Sequence, residues 1–155
     1  MEKKVVIWNG IEGFSLEGDV LKSFLIRKGI DVPENGADGP LTDREMEKIA
    51  RQNGIKPYHI SREDADLIAV AEEHIRKRKE YFSNAEFEYC EMDTRGIQVE
   101  CFDSRLSYDL CEEGGMEWIE TYLEVPLQDL RHGLSEEHEE LLRKCFGRMR
   151  VTDIY

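Results

Sequence analysis

The stretch from Ala85 to Asp103, AEFEYCEMDTRGIQVECFD, constrains the fold of this chain most strongly. Apolar residues interleaved with acidic ones flank Asp93-Thr-Arg-Gly96, and this spacing is typical of two short strands joined by a tight turn. Aspartate at the first turn position and glycine at the fourth suit a type I turn, and the glycine also suits a bulged three-residue loop. The sequence therefore predicts an antiparallel hairpin.

The register of this hairpin stays open. With a two-residue loop, Cys90 and Met92 share a face with three residues of the second strand, namely Ile97, Val99 and Cys101. With the bulged loop, Phe87 and Tyr89 join those three instead. A slip of one residue exchanges the two faces of a strand.

Strand and helix patterns alternate before the hairpin. The apolar run from Lys4 to Trp8 predicts a buried strand. An amphipathic helix is predicted over residues 17–28, with Ser15 as its N-cap and with Val20, Leu21, Phe24 and Leu25 on its inner face. Prolines and glycines make residues 30–41 a predicted flexible loop.

Two further helices are predicted from their N-terminal signals. Thr42 and Glu45 form a capping-box pattern that opens a helix to about Asn53. Ser61-Arg-Glu-Asp64 is a second such signature and opens the longest helix, which runs to about Phe82. Its predicted inner stripe is Ala65, Ile68, Ala71 or Glu72, Ile75 and Phe82, widened by Leu67 and Val70.

The C-terminal third gives weaker patterns. Residues 104–115 are predicted to form an irregular edge strand, and residues 117–125 a strand or a short helix. A helix is predicted from Glu136 to about Phe146, followed by a tail that adds an edge strand. Its predicted inner face is Leu134, Leu141, Leu142, Cys145 and Phe146. We therefore expect one α+β domain over residues 1–155, with a small antiparallel sheet and about four helices.

The net negative charge of the chain comes from one segment. The net charge is −13, and residues 80–147 contain 18 Asp and Glu against 5 Lys and Arg. The other 87 residues contain 16 of each and are neutral overall. Nucleic acid is repelled by such a segment, because binding to its backbone requires Lys and Arg to replace counterions. A basic protein is attracted to it, although solubility alone also explains an acidic surface.

Other composition features exclude several classes of protein. No apolar run approaches the 18 residues of a membrane span, and the N-terminal apolar run is too short for a signal peptide, so we expect a cytoplasmic location. The four cysteines, without an export signal or a C-x-x-C pair, are predicted to be free thiols. The best local carboxylate cluster, Asp103, Asp109, Glu112 and Glu113, lacks calcium-loop spacing. We expect no metal, no cofactor and no catalytic residue set.

Three stretches in order resemble a group of small uncharacterised bacteriophage proteins. They are the strand and helix at 5–28, the helix DADLIAVAEE at 64–73, and the acidic hairpin at 86–103. The group has a "YGGFSLS"-like motif, a "DPDLIAVVEE"-like helix and a hairpin that ends near "EYDG". Here IEGFSL (residues 11–16) lacks the tyrosine and first glycine of the motif, and ECFD (100–103) stands at the hairpin end. The resemblance covers about a third of the chain and implies a viral context without any catalytic residue.

Charge and resemblance together give the leading hypothesis. We expect a phage-encoded protein that binds and inhibits a basic host protein which handles nucleic acid, such as a CRISPR effector of anti-phage defence. Charge complementarity or nucleic-acid mimicry would provide the contact. The predicted contact residues are glutamates of the acidic segment: Glu88, Glu91, Glu100, Glu112, Glu113, Glu136, Glu137, Glu139 and Glu140.

Two other hypotheses stay open. A small protein that binds, sequesters or hydrolyses a nucleotide would use loop 9–18 with Trp8, Phe14 and Tyr58 around its ligand. A virion accessory protein is the third. The leading hypothesis expects no enzyme, no direct contact with nucleic acid and no membrane contact, and the oligomeric state is not set by the sequence.

Overall fold

Seven strands and five helices follow one another along the part of the chain that the structure describes. The structure is a computed structural model, and it describes residues 1–10, 13–83 and 96–152, with the side chains of 81–83 excepted. In chain order the elements are β1 (Glu2–Asn9), α1 (Gly18–Arg27), β2 (Asn35–Gly36), β3 (Gly39–Pro40), α2 (Asp43–Gln52), α3 (Ala65–Ser83), β4 (Gly96–Asp103), β5 (Ser107–Glu113), β6 (Met116–Pro126), α4 (Leu127–Arg131), α5 (Glu136–Lys144) and β7 (Met149–Thr152).

The main sheet has the strand order β4-β1-β6-β5, and β7 pairs with β6. Neighbouring strands in the order β4-β1-β6-β5 are antiparallel, whereas β7 runs parallel to β6. The α+β prediction is confirmed, and the predicted C-terminal edge strand is present as β7. Of the helices in the described residues, none is long and apolar enough to cross a membrane.

The predicted hairpin at 85–103 is described only in its second half. Its second strand is β4, while the first strand and the turn lie outside the described residues. β4 pairs along its full length with β1, from Asp103 opposite Glu2 to Gly96 opposite Asn9. This long-range pairing was not predicted, and it directs Ile97 and Val99 towards the core.

Helices α1, α2 and α3 supply most of the first core. Leu21, Phe24 and Leu25 of α1 are buried, and so are Met46 and Ala50 of α2. The predicted N-cap at Ser15 is wrong. The cap residue is Glu17, whose side chain makes no capping bond, and the Gly18 N–H donates instead to Asp43 Oδ1 of α2 at 3.1 Å. A neighbouring helix therefore satisfies an orphan donor that a local residue usually caps.

Three residues of the predicted inner stripe of α3 are buried, and its first residue is not. Its first turn is capped by Asp64, whose Oδ1 accepts from the N–H groups of Asp66 and Leu67 at 2.9 and 3.1 Å. Leu67, Val70 and Ala71 are buried, whereas Ala65 is exposed. The prediction for Ala65 is wrong because alanine adapts to either face, and the larger Leu67 decides which face packs.

Residues 30–41, predicted as a flexible loop, contain the two-residue strands β2 and β3 paired antiparallel. Ile30, Val32 and Leu41 of this region pack against the first core. The segment therefore covers the core next to α2. The Thr42 cap is confirmed, since its hydroxyl accepts from the Glu45 N–H at 3.2 Å.

A second core lies between β6, α5 and the start of β5. Its buried members are Leu106, Leu123, Val125, Leu141 and Cys145. Residues 117–125 are strand, so the first of the two predicted alternatives is confirmed. The prediction that Phe146 lies on the inner face of α5 is wrong. The helix ends at Lys144, Phe146 takes a positive φ of 57°, and its side chain is 84% exposed.

The Arg62–Glu117 ion pair joins strands β1 and β6 where they diverge. These strands pair only at Asn9 and Met116. Beyond that point, Arg62 Nη1 and Nη2 donate to Glu117 Oε1 and Oε2 at 2.5 and 2.8 Å. The backbone of Arg62 accepts from the Val6 N–H at 2.9 Å, and the Trp8 N–H donates to Glu117 Oε1 at 2.7 Å. The pair therefore takes the place of strand-to-strand bonds.

Arg62→Met is expected to lower the free energy of unfolding by about 3–5 kcal/mol, because it leaves a buried carboxylate unpaired. The side chains of Arg62 and Glu117 are only 16% and 8% exposed. Urea unfolding followed by circular dichroism measures the change. The matched control is Arg51→Met, which removes an exposed i,i+4 pair with Glu47 and is expected to cost about 0.5 kcal/mol or less. Equal losses in the two variants would contradict the assignment.

Candidate functional site

The β5–β6 hairpin carries the candidate site, and its geometry follows from a two-glycine turn. Gly114 and Gly115 connect the strands with φ values of 61° and 87°. Two successive positive φ values are those of a type I′ turn, whose twist matches that of the flanking strands. Glu113 consequently lies opposite Met116, and the pairing continues to Ser107 opposite Tyr122.

One face of this hairpin is buried and the other is open. Thr121, Leu123 and Val125 of β6 are buried, so the alternate residues point away from the second core. Among them Met116 is 55% exposed and Trp118 is 40% exposed. We call the open side the hairpin face, and it comprises Asp109, Cys111, Glu113, Met116, Trp118, Glu120, Tyr122 and Glu124.

The hairpin face keeps most of its negative charge. Its four carboxylates are those of Asp109, Glu113, Glu120 and Glu124, and Arg150 of β7 pairs with Asp109. The Arg150 guanidinium also lies 3.9 Å from the centre of the Tyr122 ring. The other three carboxylates make no ion pair within the described residues. The face therefore presents an excess of three negative charges around two exposed apolar side chains.

Cys111, in the middle of the hairpin face, is not an activated thiol. Burial, followed by the nearby carboxylates of Glu120 and Asp109, raises the pKa of Cys111. A nucleophilic cysteine instead needs a lowered pKa and a cationic neighbourhood. Its surroundings therefore favour a contact residue over a reactive one.

The second acidic group lies at the start of α5. Ser135 caps this helix, and its hydroxyl accepts from the His138 N–H at 3.1 Å. Carboxylates in the first turn stabilise the helix dipole. Two of the four glutamates are also used internally, because Glu137 pairs with Arg105 at 2.9 Å and Glu140 with Lys144 at 3.5 Å.

Arg105 and Lys144 both converge on Asp103 at the end of β4. The Arg105 side chain and N–H donate to Asp103, and Lys144 Nζ donates at 2.9 Å. These donors, Arg105 first, hold the pKa of Asp103 far below its ordinary value. The network links β4 to α5, so this part of the predicted acidic surface has a structural role.

The nine predicted contact residues separate into distinct places. Glu88 and Glu91 lie outside the described residues, and Glu100 is half-buried on β4 opposite Val5. Glu112 and Glu113 are exposed at the end of β5, and the Glu112 carboxylate accepts from the Gly115 N–H at 3.0 Å. The four exposed α5 glutamates are Glu136, Glu137, Glu139 and Glu140.

The structure does not join these glutamates into one surface. Helix α5 packs with Leu141 on the inner side of β6, whereas the hairpin face is the outer side. Sequence reasoning missed Met116, Trp118, Glu120 and Glu124. Their i,i+2 spacing was the available signal, but nothing in the sequence indicated which face of β6 is covered.

The residues proposed for a nucleotide site are partly committed to packing. The Phe14 ring is buried, with the Arg62 guanidinium 3.6 Å from its centre, and Trp8 packs edge-on against it. Tyr58 is exposed. Elsewhere, a groove between α1 and α3 is lined by Lys22, His74 and other polar residues. Burial lowers the pKa of His74, and the positive charge of Arg78 lowers it further.

Two residues of the basic run at 76–79 form ion pairs along α3. Arg76 pairs with Glu80 at 2.7 Å, and Lys77 pairs with Glu73 at 3.4 Å. Cys101, Cys111 and Cys145 are free thiols, as predicted for the cysteines. Within the described ranges, no three metal-ligating side chains cluster together.

Comparison with protein-family models, with curated proteins and with solved structures finds no match to this chain.

Asp103→Asn is expected to lower the free energy of unfolding at pH 7. It is also expected to make that free energy fall less steeply as the pH is lowered. A carboxyl with a lowered pKa stabilises the fold above its unfolded value of about 3.9 and loses that contribution as the pH falls. The wild type should therefore lose stability progressively below about pH 5, and the variant should lose less. Urea unfolding between pH 7 and pH 2.5 measures this.

The control for this experiment is Asp31→Asn, which changes an exposed aspartate with no ion pair in the described part of the chain. It should leave the pH dependence close to that of the wild type. An acid limb in Asp103→Asn as steep as in the wild type would contradict the role of the network.

Proposed function

We propose that this protein binds a basic partner protein through the hairpin face. The observation that carries the proposal is the exposure of Trp118 and Met116 among carboxylates that lack ion pairs in the described residues. Supported by the resemblance to phage proteins, the proposal extends to a host protein that handles nucleic acid in anti-phage defence. The protein would inhibit this partner by covering its phosphate-binding surface.

Charge provides attraction and orientation in this proposal. A groove that binds a phosphate backbone is lined with Lys and Arg, and the hairpin face presents the opposite sign. Alternate residues of a strand lie about 6.5–7 Å apart, so Trp118, Glu120, Tyr122 and Glu124 present a regular row of groups to such a groove. Complementary charge speeds encounter and disfavours wrong partners more than it adds affinity.

The apolar side chains provide the affinity. Binding energy in protein interfaces concentrates in a few residues, and tryptophan is the most enriched of these. Trp118 lies near the middle of the hairpin face, with Cys111 directly opposite on β5 and Met116 two residues away. Glu120 lies two residues further along β6, and Glu113 lies diagonally from Trp118, opposite Met116. An apolar centre with a polar rim is the usual anatomy of a protein-binding surface.

Trp118→Ala is expected to weaken partner binding at least about 30-fold, which corresponds to the loss of a binding hot spot of about 2 kcal/mol. Cross-linking capture from host lysate identifies the partner, and titration calorimetry with the purified partner gives the Kd. Tyr58→Ala is the control, because Tyr58 is an exposed aromatic residue outside the hairpin face. Equal affinity of the Trp118→Ala variant and the wild type would refute the proposed surface.

Two charge-neutralised variants separate the acidic surfaces. Glu120→Gln with Glu124→Gln removes two charges from the hairpin face, and Glu136→Gln with Glu139→Gln removes two from α5. All four residues are exposed and make no ion pair within the described residues. Only the first pair of changes is expected to weaken binding and to reduce its dependence on salt between 50 and about 300 mM.

The opposite result would place the partner on α5. If the α5 variant weakens binding and the hairpin variant does not, the partner binds at α5. An affinity of the wild type that does not change with salt would exclude charge complementarity as the mechanism.

A further inference from the structure

Among the described residues, the outer edge of β5 is an open strand edge. β5 ends the strand order of the sheet, and no described strand pairs with its outer side. The residues from Leu110 to Glu113 range from half-buried to exposed, and the Leu110 side chain is 40% exposed. A free edge of this kind presents unpaired N–H and C=O groups to any extended chain.

The type I′ turn determines which peptide groups face outward. In a hairpin with a two-residue turn, the flanking residues Glu113 and Met116 form a hydrogen-bonded pair. Hydrogen-bonded pairs recur at every second residue, so Cys111 and Asp109 also bond to β6. The N–H and C=O groups of Tyr108, Leu110 and Glu112 therefore point towards the open edge.

The side chains of β5 protect this edge against one kind of partner only. Natural edges are commonly blocked by lysine, proline, a bulge or a covering element. β5, with the sequence SYDLCEE, has neither lysine nor proline and carries three carboxylates, those of Asp109, Glu112 and Glu113. Like charges placed opposite each other are destabilising, so a second copy of β5 is disfavoured.

We propose that the open edge of β5 receives a basic extended segment of the partner as an added strand. This inference rests on the proposed function and specifies how the partner binds. Main-chain hydrogen bonds to Tyr108, Leu110 and Glu112 hold the segment, which is the mode known as β-augmentation. Lysine or arginine at alternate positions lies on the side of Glu113 and of Asp109, which also pairs with Arg150, and the intervening apolar residues lie on the side of Leu110.

The test compares two substitutions at one position. Leu110→Pro removes an outward N–H without removing a bond to β6, a change that edge strands tolerate. Leu110→Ala shortens the side chain and keeps the N–H. The probe is a seven-residue peptide that alternates lysine with valine. Binding to the proline variant is expected to be at least tenfold weaker than binding to the alanine variant.

Two further peptides test the chemistry of the contact. A peptide that alternates glutamate with valine is expected not to bind, because β5 is acidic. The lysine–valine peptide with alternate backbone nitrogens methylated is expected to lose binding, because it cannot donate to the edge. Undiminished binding of the methylated peptide would reduce the contact to charge alone and overturn strand addition.

Amide hydrogen exchange gives a result that does not depend on the proline variant folding. Exchange at Tyr108, Leu110 and Glu112 in the wild-type protein is expected to slow at least tenfold when the lysine–valine peptide or the captured partner is bound. Unchanged exchange at these three amides in the complex would overturn the proposal. Self-association that the proline variant abolishes would assign the edge to a second copy and would also overturn it.

This inference and the proposed function fail differently. Equal partner affinity of the two Leu110 variants, together with a loss in Trp118→Ala, would overturn strand addition and leave the hairpin face as the binding surface. No loss in Trp118→Ala would instead count against the proposed function.

Discussion

The carboxylate of Glu117 connects strand β6 to strand β1 and to the segment before α3, and the rest of the structure depends on this connection. It accepts two hydrogen bonds from the Arg62 guanidinium and a third from the Trp8 backbone, in a place that water scarcely reaches. Arg62 also stacks on the buried Phe14 ring and bonds to Val6. One ion pair therefore holds β1, β6 and the segment before α3 in register, where the regular strand ladder has ended.

The Arg62–Glu117 pair connects β6 to β1 at the edge of the strand. The two faces of β6 have different roles. Leu123 and Val125 turn inward and pack with Leu141 in the second core. The residues that alternate with the inward-facing ones along β6 turn outward and form the β6 part of the hairpin face. The same alternation that fills the core thus exposes Trp118 beside carboxylates that make no ion pair within the described residues, and the tight turn at Gly114 and Gly115 keeps the pattern in register.

Features that depend on residues close together in the sequence were predicted, and features that depend on distant residues were not. The Thr42 cap, the strand at 4–8 and the helix beginning at Glu136 follow from patterns within a few residues and were predicted. The cap of α1, the exposure of Ala65 on α3 and the exposure of Phe146 were not, because a neighbouring element decides each of them. For the candidate site, Glu113 was predicted, whereas Trp118 was not.

The sequence by itself determined the class of the fold, most of its elements and the confinement of the acidic excess to residues 80–147. These follow from local periodicity and from counting charges. Only the tertiary structure decided that β4 pairs with β1, that Arg62 meets Glu117, and that one face of the β5–β6 hairpin stays open. Each of these joins residues far apart in the chain, and a period-two pattern marks two faces of a strand without indicating which one another element covers.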